Sequence, residues 1–178
     1  MFSVPKIIEV IKVTDALTVG EILHAQGIYS TSQSARVNAQ KKLNQLADLG
    51  QIERCNGFYR NLDCKSEFKE HSRLLTKALA EVLKLPIDSI IHREITTPVG
   101  LRPDAICLLT KNNQGYCFVL EVLNHETEQY LEQKINTWNN WEGSLEFLSQ
   151  LFRCKIPHFE ILPITVLDGF KAFLREGI

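Results

Sequence analysis

Residues 102–123 read RPDAICLLTKNNQGYCFVLEVL, which is two apolar, β-prone runs separated by a polar turn at residues 112–115. Side chains alternate along a strand, so Asp104 shares a face with Ile106, and Glu121 shares a face with Val119. If the two strands pair as a meander, the two carboxylates lie near one another. A carboxylate at the end of an apolar strand is costly unless it is paired or holds a cation. Asp104 and Glu121 are therefore candidate ligands of a hard divalent metal ion.

Further helix and strand patterns surround this hairpin. A helix is predicted over residues 67–84 and a strand over residues 90–95, both before the hairpin. After it, the pattern predicts helices at 126–141 and 144–152, a strand at 160–167 and a terminal helix at 168–176. The order helix, three strands, two helices, strand, helix predicts an α/β layer in which helices cover a sheet.

Three short helices and a hairpin are predicted in the first sixty residues. Apolar residues recur at helical spacing over residues 4–11, and a second helix follows Thr18. A third helix begins after the capping residues at 30–32 and ends at Gly50. The Asn-Gly pair at 56–57, between two β-prone runs, is a strong hairpin signal. This is the outline of a winged helix-turn-helix, so we predict two domains, at residues 1–62 and 66–178.

The outward face of the third helix suits the major groove of DNA. That face carries mainly amide and basic side chains, with Arg36 on its flank: Gln33, Ser34, Val37, Gln40, Lys41 and Asn44. Amides can read adenine edges, and Arg or Lys can read guanine or hold a phosphate. Arg54 and Arg60 on the hairpin lie where they can reach backbone phosphates. We predict contact with double-stranded DNA. Protein docking is the alternative, because winged helices also serve as protein-interaction modules.

The overall charge hides an asymmetry between the two predicted domains. The 178 residues have a formal net charge of −1, but residues 1–62 hold seven basic and five acidic side chains. The five cysteines are odd in number and form no Cys-x-x-Cys pair, and no signal-peptide pattern opens the chain. We therefore expect a reducing, cytoplasmic location. No apolar run approaches the roughly 20 residues that span a bilayer, so no membrane partner is expected.

Short motifs in the second half resemble a known nuclease fold. Pro103-Asp104, followed by Glu121 within an apolar strand, resembles the core of the PD-(D/E)XK nucleases. The order of predicted elements matches that restriction-endonuclease-like fold as well. More narrowly, a winged helix followed by RPDA at 102–105 and FVLEV at 118–122 is similar to the replication-relaxation family. The resemblance implies a plasmid or mobile-element protein linked to transfer or replication, with a relaxase or replication protein as a partner.

The chain departs from the nuclease pattern at one position. That pattern has a lysine two residues after the glutamate, where this chain has Leu123. In some nucleases of this fold the lysine comes from the following helix, and here Lys134 occupies such a helix beside its apolar stripe. The structural alternatives are that Lys134 extends to the surface or makes an ion pair within the fold.

These observations leave three functions open. We expect an accessory DNA-binding protein of a mobile element, with a nuclease-like domain that does not cleave and no cofactor needed for DNA binding. The first alternative is an endonuclease using Mg²⁺ or Mn²⁺, with Asp104, Glu121 and Lys134 as catalytic residues and the two carboxylates as metal ligands. The second is an adaptor that docks other proteins. Trp138 and Trp141 are expected in the core or in a homodimer contact.

Overall fold

A computed structural model describes residues 4–14, 16–26, 32–62, 70–93, 95–111, 114–123 and 128–176. Within these ranges the chain contains seven helices and two β-sheets, and its class is mixed α+β. It divides into two compact units, Met1–Pro86 and Ile87–Ile178. Among the described residues, no helix is long and apolar enough to cross a membrane.

The first unit contains four helices and a small antiparallel sheet with the strand order β1-β3-β2. Its elements are α1 (Val4–Thr14), β1 (Ala16–Leu17), α2 (Val19–Ala25), α3 (Gln33–Asp48), β2 (Glu53–Cys55), β3 (Phe58–Arg60) and α4 (Glu70–Leu83). Ser32 caps α3 by accepting a hydrogen bond from the Ala35 backbone amide at 3.3 Å. Asn56 and Gly57 both have positive φ, which is the conformation that a tight two-residue hairpin turn requires.

The core of this unit lies between the helices and the hairpin. Its buried side chains come from six elements and include Ile7, Ile11, Leu17, Ile22, Leu43, Tyr59 and Ala80. The predicted apolar stripe of α3 is buried at Ala39, Leu43 and Leu46. Leu49, the last member of that stripe, is 71% exposed. Leu49 is the C-cap residue, where the helix ends and its periodicity no longer directs a side chain toward the core.

Helix α4 belongs to the first unit, whereas the sequence-based boundary at residues 62–66 assigned it to the second. It packs on α1 and α2, and the two units divide after Pro86. Arg73 anchors its first turns by donating to both carboxylate oxygens of Glu21, at 2.6 and 3.0 Å. The predicted linker at residues 63–66 lies outside the described residues. Helical periodicity identified α4 correctly, but it carries no information about which unit a helix joins.

A second polar anchor joins the end of α4 to α2. Glu81 is buried, and its Oε1 lies 2.9 Å from Nε2 of His24, while Lys84 donates to its Oε2. On a helical wheel, Glu81 lies on the side of α4 opposite the apolar residues of that helix. In the structure that side of α4 is covered as well, and the carboxylate is compensated by two basic side chains.

The second unit is a four-stranded sheet with the order β4-β5-β6-β7 and three helices. Its elements are β4 (Asp88–Arg93), β5 (Ala105–Lys111), β6 (Gln114–Val122), α5 (Glu128–Asn140), α6 (Ser144–Phe152), β7 (Phe159–Ile164) and α7 (Leu167–Glu176). The first three strands form an antiparallel meander, so the pairing of the two hairpin strands that the sequence left conditional is present, and β7 pairs parallel to β6. A parallel pair needs a long crossover, which α5 and α6 provide.

Strand β6 is central and buried on both faces. On one face Val119 and Cys117 join Trp138 of α5 and Leu148 of α6 in a single apolar cluster. On the other face Phe118 makes edge-to-face contacts with Phe170 and Phe173 of α7. All side chains over residues 117–122 are therefore buried. Burial on both faces explains why this strand is apolar at every position except Glu121.

The Glu81 anchor predicts a specific dependence of stability on pH. Burial alone raises the pKa of the Glu81 carboxyl, but hydrogen bonds from Lys84 and His24 outweigh burial and hold that pKa below its usual value of 4.5. The carboxylate therefore stabilises the fold at neutral pH, and this contribution is lost as the pH falls through the lowered pKa. We expect Glu81→Gln to reduce the free energy of unfolding at pH 7 by about 1–3 kcal/mol.

Urea unfolding at pH 7 and at acid pH measures this effect. The difference between wild type and Glu81→Gln should shrink at acid pH, because the wild-type carboxyl is then protonated too. Glu9→Gln changes an exposed glutamate of the same unit and is the matched control. An unfolding difference that is equal at both pH values contradicts the predicted role of the carboxylate.

Candidate functional sites

The first candidate site is at the open end of the β5–β6 hairpin, away from its turn. The antiparallel ladder of β5 and β6 ends where Ala105 pairs with Leu120, so Asp104 lies just before β5, next to the position of Glu121 on β6. Asp104 Oδ2 accepts a hydrogen bond from the Val122 backbone amide at 2.7 Å. This bond holds the Asp104 carboxylate against the end of β6, beside the residue that the sequence pattern paired with it.

Lys134 of α5 completes this site. Its Nζ donates to Glu121 Oε2 at 2.7 Å, and the exposed fractions of the two side chains are 16% and 2%. Trp138, one helical turn after Lys134, is fully buried against the same face of the sheet. The burial of Trp138 therefore fixes the rotation of α5 and directs Lys134 toward Glu121. Lys134 therefore makes an ion pair within the fold and does not extend to the surface.

The electrostatics of the site favour a charged lysine. Burial alone lowers the pKa of Lys134, but the hydrogen bond from its ammonium to Glu121 and the nearby charge of Asp104 outweigh burial and raise that pKa. The ammonium also lies 5.2 Å from the centre of the Tyr130 ring, within the range of a cation–π contact. Lys134 therefore carries its positive charge throughout the physiological pH range.

The two carboxylates at this site are of the type that binds magnesium or manganese ions, but two carboxylates are only part of a metal site. Carboxylate oxygens are the ligands that those ions prefer; Glu121 of β6 supplies one carboxylate, and Asp104, just before β5, supplies the other. One oxygen of each carboxylate is already engaged, with the Val122 amide and with Lys134. Among the described residues, no cluster of three or more His, Cys, Asp or Glu side chains has the arrangement of a metal site. An incoming ion would share the Glu121 carboxylate with the lysine.

The second candidate site is the outward surface of α3 and the β2–β3 hairpin. Four of the seven side chains predicted to contact DNA are exposed: Gln33, Arg36, Lys41 and Arg54. Arg36 and Gln40 also line an open cleft of about 420 Å³ together with Thr18, Gly20 and Gly57. Along α3 the only acidic residue is Asp48, at its last position. The exposed charge of this helix surface is therefore positive over most of its length.

The remaining three predicted side chains are held by partners within the unit. Tyr59 is 1% exposed, and its hydroxyl donates to Asn44 Oδ1 at 2.7 Å. Gln40 Nε2 donates to that hydroxyl and, at 3.2 Å, to Asn44 Oδ1. Burial raises the pKa of Tyr59, so its hydroxyl stays protonated and available as a donor. The amides are thereby fixed in one orientation.

Arg60 is engaged by a carboxylate across the hairpin. Its Nε and Nη2 donate to the two oxygens of Glu53 at 2.8 and 2.9 Å. The hydrogen bonds from Arg60 hold the pKa of Glu53 below its usual value. Sequence reasoning assigned Arg60 to phosphate contact and did not identify Glu53. The signal was present, because a two-residue Asn-Gly turn at 56–57 sets the register that places residue 53 opposite residue 60.

Comparisons with known proteins assign this chain to no family. No protein-family model, no curated protein and no solved structure matches it. Its function is therefore inferred from the geometry and charge of the two candidate sites.

The buried ion pair leads to a prediction about stability. Replacing Lys134 by Met removes the ammonium and leaves the Glu121 carboxylate buried, which should reduce the free energy of unfolding by about 3–5 kcal/mol. The double variant Lys134→Met, Glu121→Gln should recover part of this loss, since no buried charge remains. Lys155→Met removes the same charge from an exposed position of the same unit and is the control. Urea unfolding measures all four proteins. A loss below about 1 kcal/mol for Lys134→Met contradicts the prediction.

Proposed function

We propose that this chain is a cytoplasmic protein that binds double-stranded DNA through its first unit. In this proposal α1 to α3 and the β2–β3 hairpin form a winged helix, and α3 lies in the major groove. The observation that carries the proposal is the exposed, positively charged surface of α3, with Arg36 and Lys41 on the helix and Arg54 on the hairpin. An α-helix fits the major groove, and basic side chains on its flanks neutralise phosphates.

The second unit is proposed to be a nuclease-like domain that serves assembly and not cleavage. Two features support this reading. Leu123 occupies the place of the lysine in the nuclease pattern, and the Lys134 ammonium is held by Glu121 at 2.7 Å. Together with the resemblance to replication-relaxation proteins, this supports an accessory role in the transfer or replication of a mobile element, beside a relaxase or replication protein. Self-association is a further proposed mode of assembly.

One observation favours endonuclease activity as a second candidate function. Lys134, Glu121 and Asp104 converge at the end of one hairpin, which is the set of side chains that hydrolysis of a phosphodiester requires. A lysine delivered by a helix would stabilise the negative charge that develops on the phosphate. Mg²⁺ or Mn²⁺ would supply a Lewis acid if the two carboxylates held it.

The DNA-binding proposal predicts how affinity depends on salt. Each phosphate that a basic side chain neutralises releases condensed counterions, so affinity should fall as the salt concentration rises. Lys41→Gln should lower the magnitude of the slope of log K against log salt by about one unit if Lys41 holds a phosphate. Arg60→Gln should change the slope less, because Glu53 already neutralises that guanidinium. Fluorescence anisotropy with a labelled random-sequence duplex gives these slopes.

A matched control removes the same charge from the adjacent residue. Lys42 is also exposed but lies on a different side of α3, so Lys42→Gln should leave the slope nearly unchanged. The combined neutralisation of Arg36, Lys41, Arg54 and Arg60 should abolish salt-dependent binding. Binding that survives this combination unchanged would exclude the surface as the DNA site.

Cleavage assays distinguish the two candidate functions. We expect supercoiled plasmid incubated with the full chain and Mg²⁺ or Mn²⁺ to remain intact, because a replacement lysine must be held close to productive geometry and Glu121 already engages it. Asp104→Ala is the control for any contaminating nuclease. Metal-dependent nicking that disappears in Asp104→Ala would overturn the non-cleaving assignment and establish the endonuclease.

A further inference from the structure

The centre of the outward face of α3 is apolar. Val37 is 43% exposed and lies on the same face as Gln33 and Lys41, one turn away on either side. A β-branched side chain has a lower helix propensity than the polar residues around it, and its exposed methyl groups gain nothing from water. A polar residue at position 37 would therefore stabilise the helix at least as well as Val37 does. Its placement fits an apolar contact made by this face.

The amide network beside Val37 leaves two defined polar atoms available. Gln40 uses Nε2, and Asn44 uses Oδ1, in their bonds with each other and with Tyr59. Within the described part of the chain, Gln40 Oε1 and Asn44 Nδ2 make no hydrogen bond. Neither atom is enclosed away from solvent. The surface beside Val37 consequently offers one acceptor next to one donor, in an orientation set by the buried tyrosine.

This combination matches one base pair in the major groove. Adenine presents an N6 donor beside an N7 acceptor, and its partner thymine presents the only base methyl group. Guanine presents two acceptors, and cytosine presents a donor without a methyl. An acceptor at Gln40 and a donor at Asn44 match N6 and N7 of a single adenine, whereas on G·C they could only be shared between the two bases. The apolar patch at Val37 matches the thymine methyl, which G·C lacks.

We propose that α3 selects A·T base pairs, with Val37 against the thymine methyl group and the Gln40–Asn44 pair on the adenine edge. This inference rests on the proposed function, since it requires α3 to lie in the major groove. Tyr59 is a positioning residue in this proposal, because it fixes which atoms of the two amides face the base. The specificity of the surface is thus separate from its charge, which Arg36, Lys41 and Arg54 supply.

The test uses DNA analogues that each remove one group from the base pair. The full chain first selects sites from a random 20-base-pair duplex library, and each thymine of the enriched site is then replaced by deoxyuridine. Loss of the methyl group at the contacted position should weaken wild-type binding by about three- to fivefold. The same replacement should change binding by less than about 1.5-fold in Val37→Ala, because the methyl has lost its partner. Leu49→Ala, which removes another exposed apolar side chain of the same segment, should keep the wild-type response.

A second analogue tests the amides. Replacing the contacted adenine by 7-deazaadenine removes the N7 acceptor and should weaken wild-type binding by about fivefold. Tyr59→Phe keeps the buried ring but removes the hydroxyl that orients both amides. This variant should lose most of the response to 7-deazaadenine while its salt slope stays at the wild-type value. A purely structural role for Tyr59 would reduce affinity for both duplexes equally.

The outcomes separate this inference from the proposed function. Enrichment of an A·T-containing site, with the analogue responses abolished in Val37→Ala and Tyr59→Phe, supports both. Salt-dependent binding without A·T enrichment, or with analogue responses unchanged in the two variants, overturns the A·T inference and leaves DNA binding standing. Failure to bind any duplex overturns both.

Discussion

A carboxylate that is 2% exposed on a central β-strand has to be compensated inside the protein, and Glu121 sets this constraint on the second unit. Strand β6 is covered on both faces, so no solvent reaches the charge from either side. The ammonium of Lys134 meets it at 2.7 Å, which is possible only if α5 crosses the sheet with one particular rotation. The same rotation buries Trp138 in the apolar cluster. The rotation of α5 that forms the ion pair is therefore the same rotation that buries Trp138, and both interactions fix the position of α5.

The first unit depends on a different kind of polar contact. Tyr59 is buried with its ring in the core, and its hydroxyl meets Gln40 and Asn44 of α3. A buried phenol of this kind needs a hydrogen-bond partner, and the two amides provide it. In return the hairpin fixes the orientation of side chains on the helix surface. In the proposed function, the exposed basic residues supply affinity for DNA, and the amides and Val37 supply selectivity for its sequence.

The two candidate sites differ in what their charges do. At the hairpin end of the second unit, acid and base neutralise each other within the fold, and this favours a structural role there. On α3 the basic residues Arg36 and Lys41 face solvent. Among contacts within the described residues, Arg60 is the one member of the predicted basic set that a carboxylate, that of Glu53, neutralises. This difference in charge compensation is the physical reason to propose the first unit as the binding surface.

The amino-acid sequence alone indicated the order and type of the elements except the two-residue strand β1, because periodicity and turn residues are local properties. Strand alternation predicted that Asp104 and Glu121 lie near one another if the two hairpin strands pair. The strands do pair, but Asp104 lies just before β5, where strand alternation no longer applies. Three features depended on side chains that are distant in the sequence: the ion pair of Lys134, the neutralisation of Arg60 and the fixed orientation of Gln40. The membership of α4 in the first unit was decided in the same way, by Glu21 and His24 of α2. Only the tertiary structure brings such partners together, because a local pattern states which face a residue takes and not what covers that face.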